Sequence, residues 1–228
     1  WWKLFYGASF FLILAVITLT ATRGAIFALI GGAFLFVLLY LIFGAGRNLK
    51  KYLILGIILL IIFGGLTLSQ KDSSWVKKNS VLSRLANVSL KDPNITPRLM
   101  VWQMAYKGFK ESPVLGVGPE NFLVVFNKYF NPLLMQSASS ETRFDRSHNI
   151  VFDVLTTSGI LGLISYLAIF FASLHILFKR IKEEALMAII LIVGLSVYFV
   201  QNLFVFDMIS SYLMFFLFLG FINYLDAE

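Results

Sequence analysis

Cysteine is absent from this chain of 228 residues, which excludes disulfides, thiolate catalysis and iron–sulfur ligation. Charge is also scarce, since charged residues make up 14% of the chain and hydrophobic residues 59%. A soluble domain carries about 25% charged residues, so this composition and a mean hydropathy of +0.84 indicate a membrane protein. The chain opens with Trp1, Trp2 and Lys3, with neither an initiator Met nor a signal-peptide pattern. We therefore expect it to be the C-terminal part of a longer polytopic protein.

The chain contains five long apolar stretches and one shorter one, and about 20 apolar residues cross a hydrocarbon core about 30 Å thick at about 1.5 Å per residue. We predict an all-α polytopic membrane protein with spans at residues 4–20, 24–43, 52–68, 150–178, 185–204 and 208–224. The stretch 150–178 is too long for one straight crossing, so its first turn or two should lie at the interface or tilt. Three spans in 1–68 and three in 149–228 would then flank one large loop, 69–148.

Two short basic loops orient these spans. Their positive charges are Arg47, Lys50 and Lys51 in the loop 44–51, and Lys179, Arg180 and Lys182 in the loop 179–184. Both loops should be cytoplasmic, because short cytoplasmic loops are enriched in Lys and Arg. Alternation of the spans then places the large loop, and the turns at 21–23 and 205–207, on the external side.

The large loop holds eleven basic and six acidic residues, and thus most of the net charge of +7. Thr96 and Pro97 predict the start of a helix over 98–110. Four residues share one face of it at helical spacing: Arg98, Trp102, Ala105 and Phe109. An amphipathic helix with Trp on its apolar side is typical of a segment lying on the membrane surface.

The rest of the loop reads as a turn over 112–120, a short helix over 120–129 and a polar segment, 131–147. The turn contains two Gly and two Pro residues. The polar segment is rich in Ser, and we expect it to form a mobile flap over the site.

The predicted topology brings Arg23, Arg98 and His148 to the external face, although they are far apart in sequence. Each has an ordinary alternative: an interfacial snorkelling arginine, a helix-surface cation and an interfacial histidine. Asp153 lies inside an apolar helix, where a carboxylate is costly, so we expect an arginine or the histidine as its partner. We predict packing and structural roles for His175 and Asp207.

Several chemistries have no support in the sequence. An Asp-x-Asp motif, the spacing of zinc ligands and a P-loop are all missing. Ser147 and His148 are direct neighbours, which argues against a nucleophile–base triad. We therefore predict no metal and no cofactor. The basic charge of a membrane protein favours anionic headgroups or a phosphate-bearing substrate over nucleic acid.

Four motifs in order resemble the O-antigen ligase/polymerase superfamily, whose members include lipopolysaccharide O-antigen ligases, Wzy-type polymerases and some protein O-oligosaccharyltransferases. They are Thr22-Arg23-Gly24, Arg98-x-x-x-Trp102, Pro113-x-x-Gly116-x-Gly118-x-x-x-Phe122, and His148-Asn149 leading into Ser158-Gly159-Ile160-Leu161-Gly162. The resemblance runs from about residue 10 to 224 and is to the C-terminal half of such proteins. It implies a GT-C-like fold in a bacterial inner membrane, with the large loop in the periplasm.

The resemblance also implies a reaction. The donor would be a glycan on undecaprenyl diphosphate, and the acceptor a lipid A-core, a growing glycan or a protein. Arginines at the positions of Arg23 and Arg98 would engage the diphosphate, and His148 would act on the acceptor, without a metal and with inversion. Further candidate substrate-binding residues are Trp102, Arg146, Asn149, Gly116 and Gly118, with Asp153 in support. The family often has Ser before the first arginine and Glu before the Gly-Ile pair, and this chain has Thr22 and either Thr157 or Ser158 at those positions.

Two other interpretations stay open. A transporter or flippase for an anionic lipid-linked or polysaccharide substrate would also gather cations at one face, although transport favours several charges within the bilayer and broken helices at its midplane. A non-catalytic scaffold in envelope assembly fits the composition as well.

Overall fold

The computed structural model describes residues 1–20, 22–86, 95–137 and 143–227. Every regular element in these ranges is a helix, as the composition predicts. The chain divides into two compact units, Trp1–Val88 and Ser89–Glu228.

The first unit contains three long helices and two short ones. They are α1 (Trp2–Thr20), α2 (Arg23–Phe43), α3 (Arg47–Ser69), α4 (Ser74–Lys78) and α5 (Ser80–Ala86). Helices α2 and α3 pack against each other.

The second unit is built around one long helix. Its elements are α6 (Ile95–Glu111), α7 (Phe122–Lys128), α8 (Leu133–Ser137), α9 (Ile150–Arg180), α10 (Ala185–Asn202) and α11 (Ile209–Ala227). Helix α9 contacts α6 and α7 as well as α10 and α11, so it joins the polar part of the unit to its apolar part. The Thr156 hydroxyl of α9 lies 3.0 Å from the Ala105 carbonyl oxygen of α6 and 2.7 Å from the Phe152 carbonyl oxygen of its own helix, so α6 and α9 are in close contact here.

Five helices in the described residues are long and apolar enough to cross a membrane: α2, α3, α9, α10 and α11. They lie where five of the six spans were predicted. The apolar part of α1, Trp2–Ile17, is shorter than the others. The span at residues 4–20 therefore stays a prediction.

Helix α9 breaks at Gly159, whose backbone (φ 66°, ψ −166°) is not helical. A break exposes peptide groups that a continuous helix would pair, and in a membrane these groups need other partners. The segment 113–118 supplies them. The Val117 and Gly118 amides donate to the Thr156 and Thr157 carbonyls (3.0 and 2.9 Å), and the Ile160 and Leu161 amides donate to the Pro113 and Val114 carbonyls (2.8 and 3.4 Å). The backbone of the segment 113–118 thus divides the long helix α9 into two parts at Gly159.

Two predictions for the large loop need correction. The helix predicted at 98–110 is α6, which begins earlier, at Ile95. Its apolar face does not lie free for a membrane surface, because it packs inside the unit. The buried cluster there consists of Val101, Met104, Ala105, Phe122, Phe126, Leu134 and Phe144.

The helix predicted at 120–129 is α7, which begins at Phe122. The predicted flap, 131–147, falls partly outside the described residues, at 138–142. On either side of that gap, Leu134 and Phe144 are buried in the cluster of α6 and α7. The described parts of this segment are therefore anchored in the core.

Candidate functional site

The peptide that carries His148 leads directly into α9. Asn149 caps the helix, since its side-chain oxygen accepts hydrogen bonds from the Val151 and Phe152 amides at 3.0 and 3.3 Å. An oxygen at this position satisfies amides that have no partner within the helix. The sequence Asn149 before an apolar run thus fixes where the helix begins, and it places His148 just before the cap.

Ser147 is fully buried and bonded on every side. Its amide donates to the Asp153 carboxylate at 3.3 Å, and its carbonyl accepts from the Trp102 indole at 3.0 Å. Its hydroxyl donates to the Asn149 carbonyl at 2.7 Å. These contacts hold His148 in the left-handed region at φ 54°, a conformation that costs a non-glycine residue about 1–3 kcal/mol. The surroundings of His148 therefore impose its orientation.

The His148 ring lies between two phenylalanines. Phe144 and Phe206 make edge-to-face contacts with it, with centroids 5.3 and 5.1 Å away. Its Nδ1 lies 3.3 Å from the Arg146 carbonyl oxygen. Because a carbonyl can only accept, a hydrogen bond between these atoms needs the proton on Nδ1. In a neutral ring with that tautomer, Nε2 is the nitrogen that can take up a proton.

Arg146 is held by two carboxylates. Its Nη1 lies 3.1 Å from Asp153, and its Nη2 forms an ion pair with Glu120. Burial opposes the charge on Arg146, but the charge and hydrogen bond of Asp153 and the charge of Glu120 outweigh it and raise the pKa of Arg146 above its ordinary value. Asp153 thus pairs with an arginine, one of the two partners that the sequence allowed.

Arg98 begins the second turn of α6 and points to the connection between α10 and α11. Its Nη1 donates to the Phe204 carbonyl at 3.0 Å. Phe206, two residues further, is the ring that contacts His148. Arg98 and His148, 50 positions apart in sequence, therefore contact the same short turn.

Trp102 sits beside these residues on α6. It stacks on Phe152 with ring centroids 5.5 Å apart and an angle of 19° between the planes. Its indole also donates to the Ser147 carbonyl. Trp102 therefore connects α6 to one residue before the start of α9, Ser147, and to one residue just after it, Phe152. Hydrogen bonds to the backbone and ring contacts thus link five of the predicted site residues: Trp102, Arg98, Arg146, His148 and Asn149.

Gly116 and Gly118 lie at the break in α9. Both have positive φ (70° and 97°), and a Cβ on Gly116 would meet the backbone of Thr157 and Ser158. The close approach of the two backbones explains why glycine stands at 116. That both glycines bind substrate stays a prediction. Arg23 is the first residue of α2, in the first unit, and its role also stays a prediction.

The contact residues that were missed from the sequence include Phe144, Phe204, Phe206 and Glu120. Phe204 acts through its carbonyl, which carries no residue-specific signal. Phe206 is one of 24 phenylalanines, and its turn position was the only available sign. Glu120 is distinguished by its positive φ of 62°, which is visible in the structure and not in the sequence.

The described helices and this polar group define a multi-pass α-helical membrane protein with a site at the start of a spanning helix. A protein-family model described as O-antigen ligase matches residues 8–167, which is more than half of the chain. The chain belongs to the O-antigen ligase family. A comparison with curated proteins gives no match. The family indicates a membrane enzyme that transfers glycans.

Proposed function

We propose that this protein transfers a glycan from undecaprenyl diphosphate to an acceptor on the external side of the membrane, without a metal and with inversion of the anomeric centre. The observation that carries this proposal is that Arg98 and His148 contact the same turn, through Phe204 and Phe206. A cation and a base that contact the same short turn are what a displacement from a diphosphate needs. The acceptor would be a lipid A-core, a growing glycan or a protein.

In this mechanism His148 takes the acceptor's proton. The acceptor oxygen attacks the anomeric carbon, the bond from that carbon to the diphosphate breaks, and undecaprenyl diphosphate leaves with the electron pair. The proton passes to Nε2, which is the basic nitrogen because Nδ1 faces the Arg146 carbonyl. A single attack from the side opposite the leaving group inverts the anomeric centre.

Arg98 stabilises the leaving diphosphate. A guanidinium presents a planar fork of donors that matches two phosphate oxygens, and its charge offsets the charge that develops as the bond breaks. Arg23 would add a second guanidinium, as the family resemblance implies. The leaving group is already activated, so no nucleotide is required.

Arg146 receives a different role in this proposal. Its charge is committed to Asp153 and Glu120, and a diphosphate would have to displace both carboxylates to bind there. We assign it to positioning His148, whose Nδ1 faces its carbonyl. Trp102 and Asn149 support the same peptide through Ser147 and the helix cap.

The transporter alternative is weaker on two counts. Asp153, the deep carboxylate that transport could use, is paired with Arg146. The broken helix α9 does not open a polar path at Gly159, since the segment 113–118 fills the break with hydrogen-bonded backbone.

The test is transfer of a labelled glycan from undecaprenyl diphosphate in proteoliposomes that contain the full-length protein. Wild type is compared with His148→Ala and Arg98→Ala, with and without EDTA and ATP. We expect transfer that needs neither metal nor ATP and falls at least about 100-fold in both variants, as general-base and charge-stabilising groups contribute that much.

Each matched control variant replaces the same type of residue by alanine at a position outside the proposed site. His175 is an exposed histidine on the same helix, and Arg47 is an exposed arginine in the first unit. His175→Ala and Arg47→Ala should transfer at the wild-type rate. Full activity of His148→Ala would refute the proposed base. Passage of the labelled substrate across the bilayer without transfer would replace this proposal by the transporter alternative.

A further inference from the structure

The turn that contacts Arg98 and His148 connects α10 to α11 and is tied down by one carboxylate. Asp207 is 7% exposed. It accepts hydrogen bonds from the Tyr198 hydroxyl at 2.7 Å, from the Asn202 amide at 3.1 Å to each oxygen, and from the Ser211 hydroxyl at 3.0 Å. These hydrogen bonds connect the two ends of residues 203–208, here called the hairpin turn.

The donors to Asp207 come from both helices of the hairpin. Tyr198 and Asn202 belong to the end of α10, and Ser211 belongs to the first turn of α11. The Ser211 hydroxyl oxygen also accepts from the Met208 amide at 2.8 Å. Since a buried carboxylate needs donors around it, a shift of the turn that separates Asp207 from these donors would cost free energy. The path of the hairpin turn is therefore set by Asp207.

Each half of the hairpin turn makes one contact with the proposed reaction machinery. The Phe204 carbonyl accepts from Arg98 at 3.0 Å, and the Phe206 ring meets the His148 ring at 5.1 Å and 89°. A shift of the turn would move both contacts together. The Asp207 carboxylate is one residue from Phe206 and three from Phe204 in sequence, so little chain separates the anchor from the contacts.

We propose that Asp207 is a positioning residue for glycan transfer, which acts through the hairpin turn on Arg98 and His148. This inference rests on the proposed function and goes beyond it, because residues 203–211 lie outside the segment that the family model matches. Asp207 touches neither substrate nor reacting atoms in this scheme. Its effect is to keep the fork of Arg98 and the imidazole of His148 in the geometry that the displacement requires.

The effect of a loosened turn should appear in kcat. Misplacement of a reacting group by about 1 Å can cost roughly 100-fold in rate. Asp207→Asn keeps the size of the side chain but turns one acceptor oxygen into a donor that faces the Asn202 amide. We expect kcat to fall about 10- to 100-fold, with the KM for the acceptor changed by less than about 3-fold.

The experiment uses full-length protein in proteoliposomes and the labelled undecaprenyl-diphosphate glycan. Asp226→Asn is the matched control, since Asp226 is an exposed aspartate at the far end of α11, the helix that follows the hairpin turn. Ser211→Ala, which removes one donor to Asp207, provides a milder variant if Asp207→Asn fails to accumulate. It should show the same split between kcat and KM with a smaller loss.

A double-mutant cycle separates positioning from general stability. In a Phe206→Ala background the contact to His148 is already lost, so Asp207→Asn should cost kcat clearly less than it does in wild type. Equal losses in both backgrounds, or a kcat of Asp207→Asn equal to that of Asp226→Asn, would overturn the positioning role while the proposed function stands. A wild-type protein without transfer would overturn the proposed function and this role with it.

Discussion

The substitution Gly159→Ala tests whether the break in α9 is built as the hydrogen bonds indicate. Gly159 has φ 66° and ψ −166°, a region that is almost restricted to glycine. A Cβ at this position would lie on the Val114 carbonyl group and 2.7 Å from the Leu115 amide nitrogen. Alanine would therefore either strain the backbone or push the segment 113–118 away.

The expected loss in the free energy of unfolding has two contributions. The backbone conformation alone costs an L-residue about 1–3 kcal/mol. Withdrawal of the segment 113–118 would in addition endanger four backbone hydrogen bonds across the break, each worth about 1 kcal/mol net. Together these amount to a loss of about 5–7 kcal/mol in the free energy of unfolding, which corresponds to a fall in Tm of roughly 10 °C or more for a protein of this size.

The assay is thermal unfolding of the purified full-length protein in detergent, with Gly220→Ala as the matched control. Gly220 lies in α11, and a Cβ there would meet nothing within 4 Å. Because alanine favours a helix by up to about 1 kcal/mol over glycine, the Tm of Gly220→Ala should equal or exceed that of wild type. A Tm of Gly159→Ala within about 2 °C of the control would refute the account of the break, since that span allows only about 1 kcal/mol.

Three further predictions concern the proposed reaction. Arg98→Lys should lose at least about 100-fold in transfer although it keeps the charge, because a point charge cannot replace the planar fork; near-normal transfer would show that simple charge attraction suffices. Lys77→Ala and Lys78→Ala should transfer at close to the wild-type rate in the same assay, since both side chains are exposed and neither belongs to the proposed site, and a complete loss would contradict the placement of the site. Trp102→Phe should lower the unfolding free energy by about 1 kcal/mol through loss of the bond to the Ser147 carbonyl while an aromatic ring remains to stack on Phe152, and an unchanged Tm would argue against that bond.

Helix α6 shows what can be predicted from the sequence and what cannot. The spacing of Arg98, Trp102 and Ala105 predicts a helix with one apolar face, and α6 is that helix. The same pattern does not tell whether lipid or protein covers the face, because the hydrophobic gain is similar in either case. In the structure, Phe122, Phe126 and neighbouring side chains cover it. Periodicity thus located the helix and misjudged its surroundings.

The break in α9 and the hairpin turn could not be predicted for a different reason. A glycine within an apolar run is common in spanning helices, and nothing local marks Gly159 as a break. Its partners, residues 113–118, are distant in sequence and bond through their backbone. The contact between Arg98 and the Phe204 carbonyl is likewise independent of the residue type at 204. Interactions that backbone atoms make between distant segments leave little trace in composition or spacing.

The distribution of charge within the site is the feature that most constrains a mechanism. A search for cations alone treats Arg98 and Arg146 as equal candidates for a diphosphate, since both lie in one basic loop. In the structure Arg146 bonds Asp153 and Glu120, so an anion that binds there must compete with two carboxylates whose own charges repel it. The same ion pairs fix the carbonyl that faces His148. In the proposed mechanism Arg146 therefore serves the geometry of the base, and the contact to the diphosphate is assigned to Arg98.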